Sequence, residues 1–335
     1  MHHDVPMTGG PGHRTPTARG QLPDFEEIEV LVAEAFARVS PVTDGVVSQV
    51  YPALARVSPD LFGFCVVDVD GGVHAIGDAD HPFALMSVAK PFVLALMIEE
   101  YGFEHVRGLV GVNATGRSFN SIAAVDLSLD GRTNPMVNSG AIATVSLAPG
   151  ADVEARWDVV RHGLSQFAGH DLEVDEEVHE SAAATNVTNR AIAETLQARG
   201  RVVGDPRDAV EIYTRQSCLD VTARDLAVMG ATLAGGGVNP LTHTRVVTAP
   251  TCRLVLAVMA TAGLYETSGD WLCDVGLPGK SGIGGGIVTV SPGKGGLGAY
   301  APPLDPAGNS VKGQLVAALL SRSLGLDLLA CTTAE

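Results

Sequence analysis

Strand-like segments near both ends of this 335-residue chain enclose a helical middle, and that order restricts the folds open to it. Two β-rich runs, residues 62–69 and 73–77, flank Asp70-Gly-Gly72 and read as a hairpin. Late in the chain, Gly282-Ile-Gly-Gly-Gly-Ile-Val-Thr-Val-Ser-Pro292 reads as a glycine-led strand, with residues 297–301 as its partner across residues 293–296. Between them, apolar residues at helical spacing predict helices over 153–167, 188–198, 207–215 and 222–233, the last closing on Gly235-Gly-Gly237. Further helices are expected at 26–38, 251–262 and 311–324, and residues 113–140 read as polar and loop-rich. The fold class is therefore α+β: one antiparallel sheet built from both termini, flanked by helices, with a helical lobe at about 113–240. Residues 1–22, rich in Gly, Pro and Thr, read as a disordered tail, leaving 23–335 as a single domain.

Composition removes several function classes. A net charge of −16 argues against nucleic acid and anionic membrane surfaces as partners, which need basic patches. No apolar run approaches the ~18 residues of a membrane helix, and the N-terminal stretch has no apolar signal core. The five cysteines show no metal-ligand spacing and fit reduced thiols, so a cytoplasmic location is expected.

The chemistry centres on Ser87 and Lys90 in Phe83-Ala-Leu-Met-Ser-Val-Ala-Lys-Pro-Phe92. Residues i and i+3 share a helix face, which puts the lysine amine within reach of the serine hydroxyl. Serine is a poor nucleophile without an adjacent base. The run Phe92-Val-Leu-Ala-Leu-Met-Ile98 is apolar almost all round, so Lys90 sits beside a buried helix that depresses its pKa toward a neutral base. Lys280-Ser281-Gly282 supplies the second element, a K-[ST]-G strand edge of the kind that walls serine sites opposite an S-x-x-K nucleophile. Gly279-Lys-Ser281 also resembles the end of a phosphate-binding loop. That motif would need glycine where Asp274 stands and a helix where a strand follows.

The chain resembles the bacterial-type, serine-dependent glutaminases of β-lactamase-like fold. The matching blocks include Gly77-Asp-Ala-Asp80, Ser87-Val-Ala-Lys-Pro91, Asn134-Pro-Met-Val-Asn-Ser-Gly-Ala-Ile142, Asn189-Arg-Ala-Ile-Ala193, Gly263-Leu-Tyr-Glu-Thr-Ser-Gly269 and Gly276-Leu-Pro-Gly-Lys-Ser-Gly282. The resemblance implies hydrolysis of L-glutamine through a Ser87 acyl-enzyme with Lys90 as base, and the N–H groups of Ser87 and Ile283 as oxyanion hole. Tyr213 and Tyr265 match the family's site tyrosines, and Asn138 and Asn189 its substrate-binding asparagines. Without the resemblance, Asn138 could simply cap a helix from Ser139, Asn189 could lie on an exposed helix face, and both tyrosines could be ordinary half-buried residues. A homo-oligomer, dimer or tetramer, is implied, and no metal or organic cofactor is needed.

Four positions depart from the family pattern. Ala182 stands where the family has the glutamate that pairs with the substrate ammonium, with Glu180 two positions away. Val50 replaces a tyrosine, though Tyr51 adjoins it; Met86 replaces the glutamine before the nucleophile; Asn113 replaces a glutamate. The nucleophile half of the site is intact and the amino-acid-recognition half altered. Besides glutamine hydrolysis, this pattern allows an amidase or esterase of changed specificity, or a silent paralogue acting as a binding or assembly subunit.

Overall fold

Two hairpins, one from each end of the chain, join into a single five-stranded antiparallel sheet. The computed structural model describes residues 22–331 apart from 119, 122 and 129, so the expected N-terminal tail lies, through residue 21, outside the described residues. The strand order is Val73–Gly77, Gly63–Asp68, Gly295–Tyr300, Gly286–Ser291, Gly279–Ser281. Gly295–Tyr300 is the central strand, with Gly298 opposite Cys65 on one side and Val288 on the other. The first hairpin turns where Asp68 Oδ1 accepts from the N–H groups of Asp70 (2.8 Å) and Gly72 (2.9 Å), with Gly71 at φ +96°.

The second hairpin departs from expectation at its glycines. Its turn is centred on Gly293, while Gly295 and Gly296, expected in the turn, belong to the central strand. Gly296 is bare because the helix Ala223–Ala234 lies against it, and Gly295 because the backbone of Val67 and Asp68 in the neighbouring strand comes close. The expected strand from Gly282 likewise begins at Gly286. Residues 282–285 form a turn after the edge strand Gly279–Ser281, closed by Gly282 N–H to Gly286 O (2.9 Å) with Gly285 at φ +102°.

Side-chain alternation gives the sheet two buried faces. Phe64, Val66, Ile287, Leu297 and Ala299 meet the terminal helices Phe25–Val39 and Val311–Ser323. On the other face, Cys65 and Val67 pack on Ala227, Val228 and Ala231 of the helix Ala223–Ala234. Val288, Val290 and Tyr300 join the core of the remaining helices. Helix starts are set by caps: Asp152, Asp175 and Asp205 each accept a first-turn N–H, and Thr222 with Asp225 forms a capping box. The observed helices start and stop within two residues of the expected ones, and Phe103–Leu109, Glu176–Thr185 and Ser268–Val275 add helices not individually expected. The region read as loop-rich contains a short helix, Ala123–Leu127, and ends at the start of a buried helix, Asn138–Val145.

Candidate active site

Ser87 lies where the short strand Phe83–Ala84, paired to Asp220–Val221, turns into a helix. The chain passes through Met86 at φ +49°, a conformation rare for a residue with a side chain, then a 3-10 turn Met86–Val88, then the helix Ala89–Tyr101. This helix is buried on nearly every side, as its apolar sequence requires. Ser87 and Lys90 are both buried, with Lys90 Nζ 2.9 Å from Ser87 Oγ and 2.8 Å from Asn138 Oδ1. Burial lowers the Lys90 amine from 10.5 to about 7, so a large share of it is neutral near pH 7.

Three further elements close on this pair. The Lys280-Ser-Gly282 edge comes right up to the turn that carries Ser87: a Cβ on Gly282 would lie 3.2 Å from Leu85 O, Met86 Cβ and Val88 Cγ2. Tyr265, at φ +57°, donates its hydroxyl to Ser281 O (3.2 Å), and a side-chain hydrogen bond joins it to Ser87. Burial pushes this phenol up to about 12, against the opposing effect of those hydrogen bonds. Tyr213, on the helix Pro206–Ser217, donates to Asn138 Oδ1 (3.0 Å), and burial raises its pKa well above the ordinary value. Lys280 is a second buried amine, lowered by burial and then by the nearby Lys90. Its Nζ is engaged 2.6 Å from Ser281 O and lies 4.1 Å from the Tyr265 ring centroid.

Asn138 does not cap its helix; Val137 occupies the cap position. The Asn138 amide instead accepts from Lys90 and Tyr213 and donates to Asn189 Oδ1 (2.9 Å). Asn189 is buried on the helix Val187–Ala198, not on an exposed face, and Tyr213 and Tyr265 are nearly fully buried. Ile283, in the turn after Gly282, is buried in an apolar cluster with Met86, Val178 and Ala182. Hydrogen bonds and packing thus bring Ser87, Lys90, Asn138, Asn189, Tyr213, Tyr265 and Ile283 into one region.

The departures have visible consequences. Ala182 is buried among apolar neighbours, while Glu180 is exposed on a regular helix and cannot take its place. Val50 is exposed, and it is Tyr51 that packs on the cluster containing Met86, Ala182 and Ile283. Asn113 contributes its carbonyl, which accepts from Asn134 Nδ2 (2.8 Å). Sequence reasoning missed Asn186 and Thr214, buried polar residues that extend the Asn138–Asn189 pair. The spacing Asn186-x-x-Asn189, one helical turn, was the available signal.

An α+β fold of β-lactamase-like type, with a buried serine–lysine pair facing a K-S-G strand edge, defines the class. The sequence matches the family model described as Glutaminase over residues 45–329. It is 61% identical to "Glutaminase 2" of Yersinia pestis over 309 residues, 92% of this chain and 91% of that protein. The solved structure titled "Probable glutaminase ybaS" superposes with a TM-score of 0.90 at 42% identity, covering 92% of this chain and 99% of that one. A structure of Mglu in its glutamate form gives 0.86 at 35% identity, covering 91% and 70%. The chain belongs to the glutaminase family. Among the described residues, no helix is long and apolar enough to cross a membrane.

Proposed function

We propose that this protein hydrolyses L-glutamine to L-glutamate and ammonia through an acyl-enzyme on Ser87, with Lys90 as the base. The observation that carries the reading is the Lys90 Nζ–Ser87 Oγ contact of 2.9 Å in a buried setting. Lys90 suits the role because its amine titrates near 7, whereas both phenols stay protonated there and the Lys280 amine is engaged by a backbone carbonyl. Ser87 Oγ attacks the side-chain carbonyl carbon of glutamine as its proton passes to Lys90. The N–H groups of Ser87 and Ile283 receive the developing oxyanion. The C–N bond then breaks, the leaving nitrogen takes a proton from Lys90, and ammonia departs. Water attacks the resulting ester with Lys90 again as base, releasing glutamate and restoring Ser87. Tyr265 orients Ser87, and Asn138 and Asn189 each keep an N–H for the substrate carboxylate.

The family resemblance supports a homo-oligomer, dimer or tetramer, and the five scattered cysteines support a cytoplasmic location. Purified protein should release ammonia from L-glutamine, and an electrophilic glutamine analogue should add its mass to Ser87. No release above background, with Ser87 unlabelled, would sink the reading and leave a silent subunit.

One observation favours a second reading, an amidase tolerant of substrates without an α-ammonium: Ala182 is buried in an apolar cluster with Ile283 and Met86. Ala182→Glu should lower KM for glutamine about tenfold by giving the ammonium a carboxylate partner. It should not help glutaramate, which lacks that ammonium. An unchanged KM for glutamine in steady-state assays would place the ammonium site elsewhere.

A further inference from the structure

The Lys90–Asn138 contact is one end of a longer chain of buried hydrogen bonds that crosses four helices. Lys90 Nζ donates to Asn138 Oδ1 (2.8 Å), Asn138 Nδ2 to Asn189 Oδ1 (2.9 Å), and Asn189 Nδ2 to Asn186 Oδ1 (2.6 Å). Asn186 Nδ2 donates to Thr214 Oγ1 (2.7 Å), whose hydroxyl donates to Val210 O (2.7 Å). All five side chains are buried. An amide can be turned end for end, and its two orientations exchange donor and acceptor. Here each link dictates the next. Val210 O can only accept, so the Thr214 hydroxyl points at it and presents its lone pairs to Asn186. The same polarity then passes through Asn186 and Asn189 to Asn138.

We infer that Asn186 and Thr214 are positioning residues that fix the orientation of Asn138, so that its oxygen and not its N–H groups faces Lys90. The alternative orientation would aim an amide N–H at the lysine lone pair, the pair that must take the Ser87 proton. With the oxygen inward, a neutral Lys90 donates one N–H to Asn138 and keeps its lone pair for Ser87, and the ammonium formed during the reaction has an acceptor waiting. Tyr213, which also donates to Asn138 Oδ1, reinforces this orientation from the helix Pro206–Ser217. Lys280, on the edge strand, is the neighbouring amine that feels the charge of Lys90. Neither Asn186 nor Thr214 touches Ser87 or Lys90 in this arrangement; they act through Asn189 and Asn138.

The inference rests on Lys90 being the base, and the experiment separates the two. Thr214→Val keeps the side-chain shape and removes the hydroxyl. It should lower kcat for glutamine about five- to tenfold, the effect of one lost hydrogen bond. It should also move the acid limb of the kcat–pH profile to lower pH, because an ammonium that loses its acceptor sheds its proton more easily. Thr214→Ser, which keeps the hydroxyl, should restore both. Wild-type kcat and limb in Thr214→Val would overturn the inference, as would a Thr214→Ser variant as impaired as the valine. If Thr214→Val does not fold, Asn186→Ser, too short to span Asn189 and Thr214, takes its place with the same readouts, and an unshifted limb overturns the inference. Lys90→Met checks the underlying reading: substantial remaining activity refutes the base assignment itself, whereas loss of activity there with a normal Thr214→Val refutes only the orientation chain.

Discussion

Ser87→Ala and Lys90→Met should each lower ammonia release from L-glutamine by at least about 10³-fold, and the double variant should be no worse than either single one. The two side chains form one unit, with Nζ 2.9 Å from Oγ. Removing the hydroxyl deletes the atom that is acylated; removing the amine leaves a serine whose proton has nowhere to go. Multiplicative losses in the double variant would mean that the residues act independently, and would count against the shared step. The wild-type profile carries a second signature. Lys90 must be neutral to act as a base, and its amine titrates at about 7, so kcat should rise with pH through that region and level off above it. Lys90→Met should erase this limb together with the activity. Lys90→Arg should be no better, since a guanidinium keeps its proton throughout this range. Rate measurements from pH 5 to 9, with circular dichroism to verify folding, decide the matter. A limb that persists in Lys90→Met would move the titration to another group, with Lys280 the first to examine because it too is a buried amine with a lowered pKa.

The buried serine–lysine pair could be read in the sequence because its signal is local: a serine, a lysine three positions on, then an apolar run with no polar face. Both hairpins were legible for a similar reason, since Asp70-Gly-Gly72 and the residues around Gly293 announce turns on their own. The parts that were not legible depend on what the rest of the fold places nearby. Asn138 at a helix start suits a cap as well as a network. Only the arrival of Lys90, Tyr213 and Asn189 from three other helices decides between them. Val50 and Tyr51 are adjacent, and which of them faces the site follows from how that segment docks on Met86 and Ile283. The left-handed backbone of Met86 and Tyr265 has no sequence signature at all, because neither residue prefers it. Both flank Ser87, where strain held by the surrounding packing sets the direction of its side chain.

Glycine was the most misleading residue, and the reason for that leads to the largest stability effect expected here. Gly296 was expected in the turn and Gly298 in the strand, and in the structure both are strand residues that serve as bare surface. The helix Ala223–Ala234 rests directly on the central strand, its backbone filling the space that side chains would take. A Cβ on Gly298 would meet Ala227 N at 2.6 Å and collide more severely with Ala223 O. Neither obstacle is a flexible side-chain tip that could swing aside. Gly298→Ala must therefore push the helix off the sheet or bend the strand between Gly63–Asp68 and Gly286–Ser291, both of which pair with it. Overpacking of this kind costs about 3 kcal/mol or more when the obstacle is backbone, a large share of the ~5–15 kcal/mol that holds a domain folded. Gly108 offers the contrast: it lies in the helix Phe103–Leu109, and nothing stands within 4 Å of its added Cβ. Gly108→Ala should leave the fold unharmed or stabilise it by about 0.5–1 kcal/mol through helix propensity and a less flexible unfolded chain. Denaturant titrations of the two variants should therefore move in opposite directions. A Gly298→Ala protein as stable as the wild type would show that the helix and sheet are not in such close backbone contact. The elbow at Met86 follows directly from a strand braced by the chain leading into this helix, Leu219 O accepting from Leu85 N. A displaced helix should accordingly lower glutamine turnover along with stability.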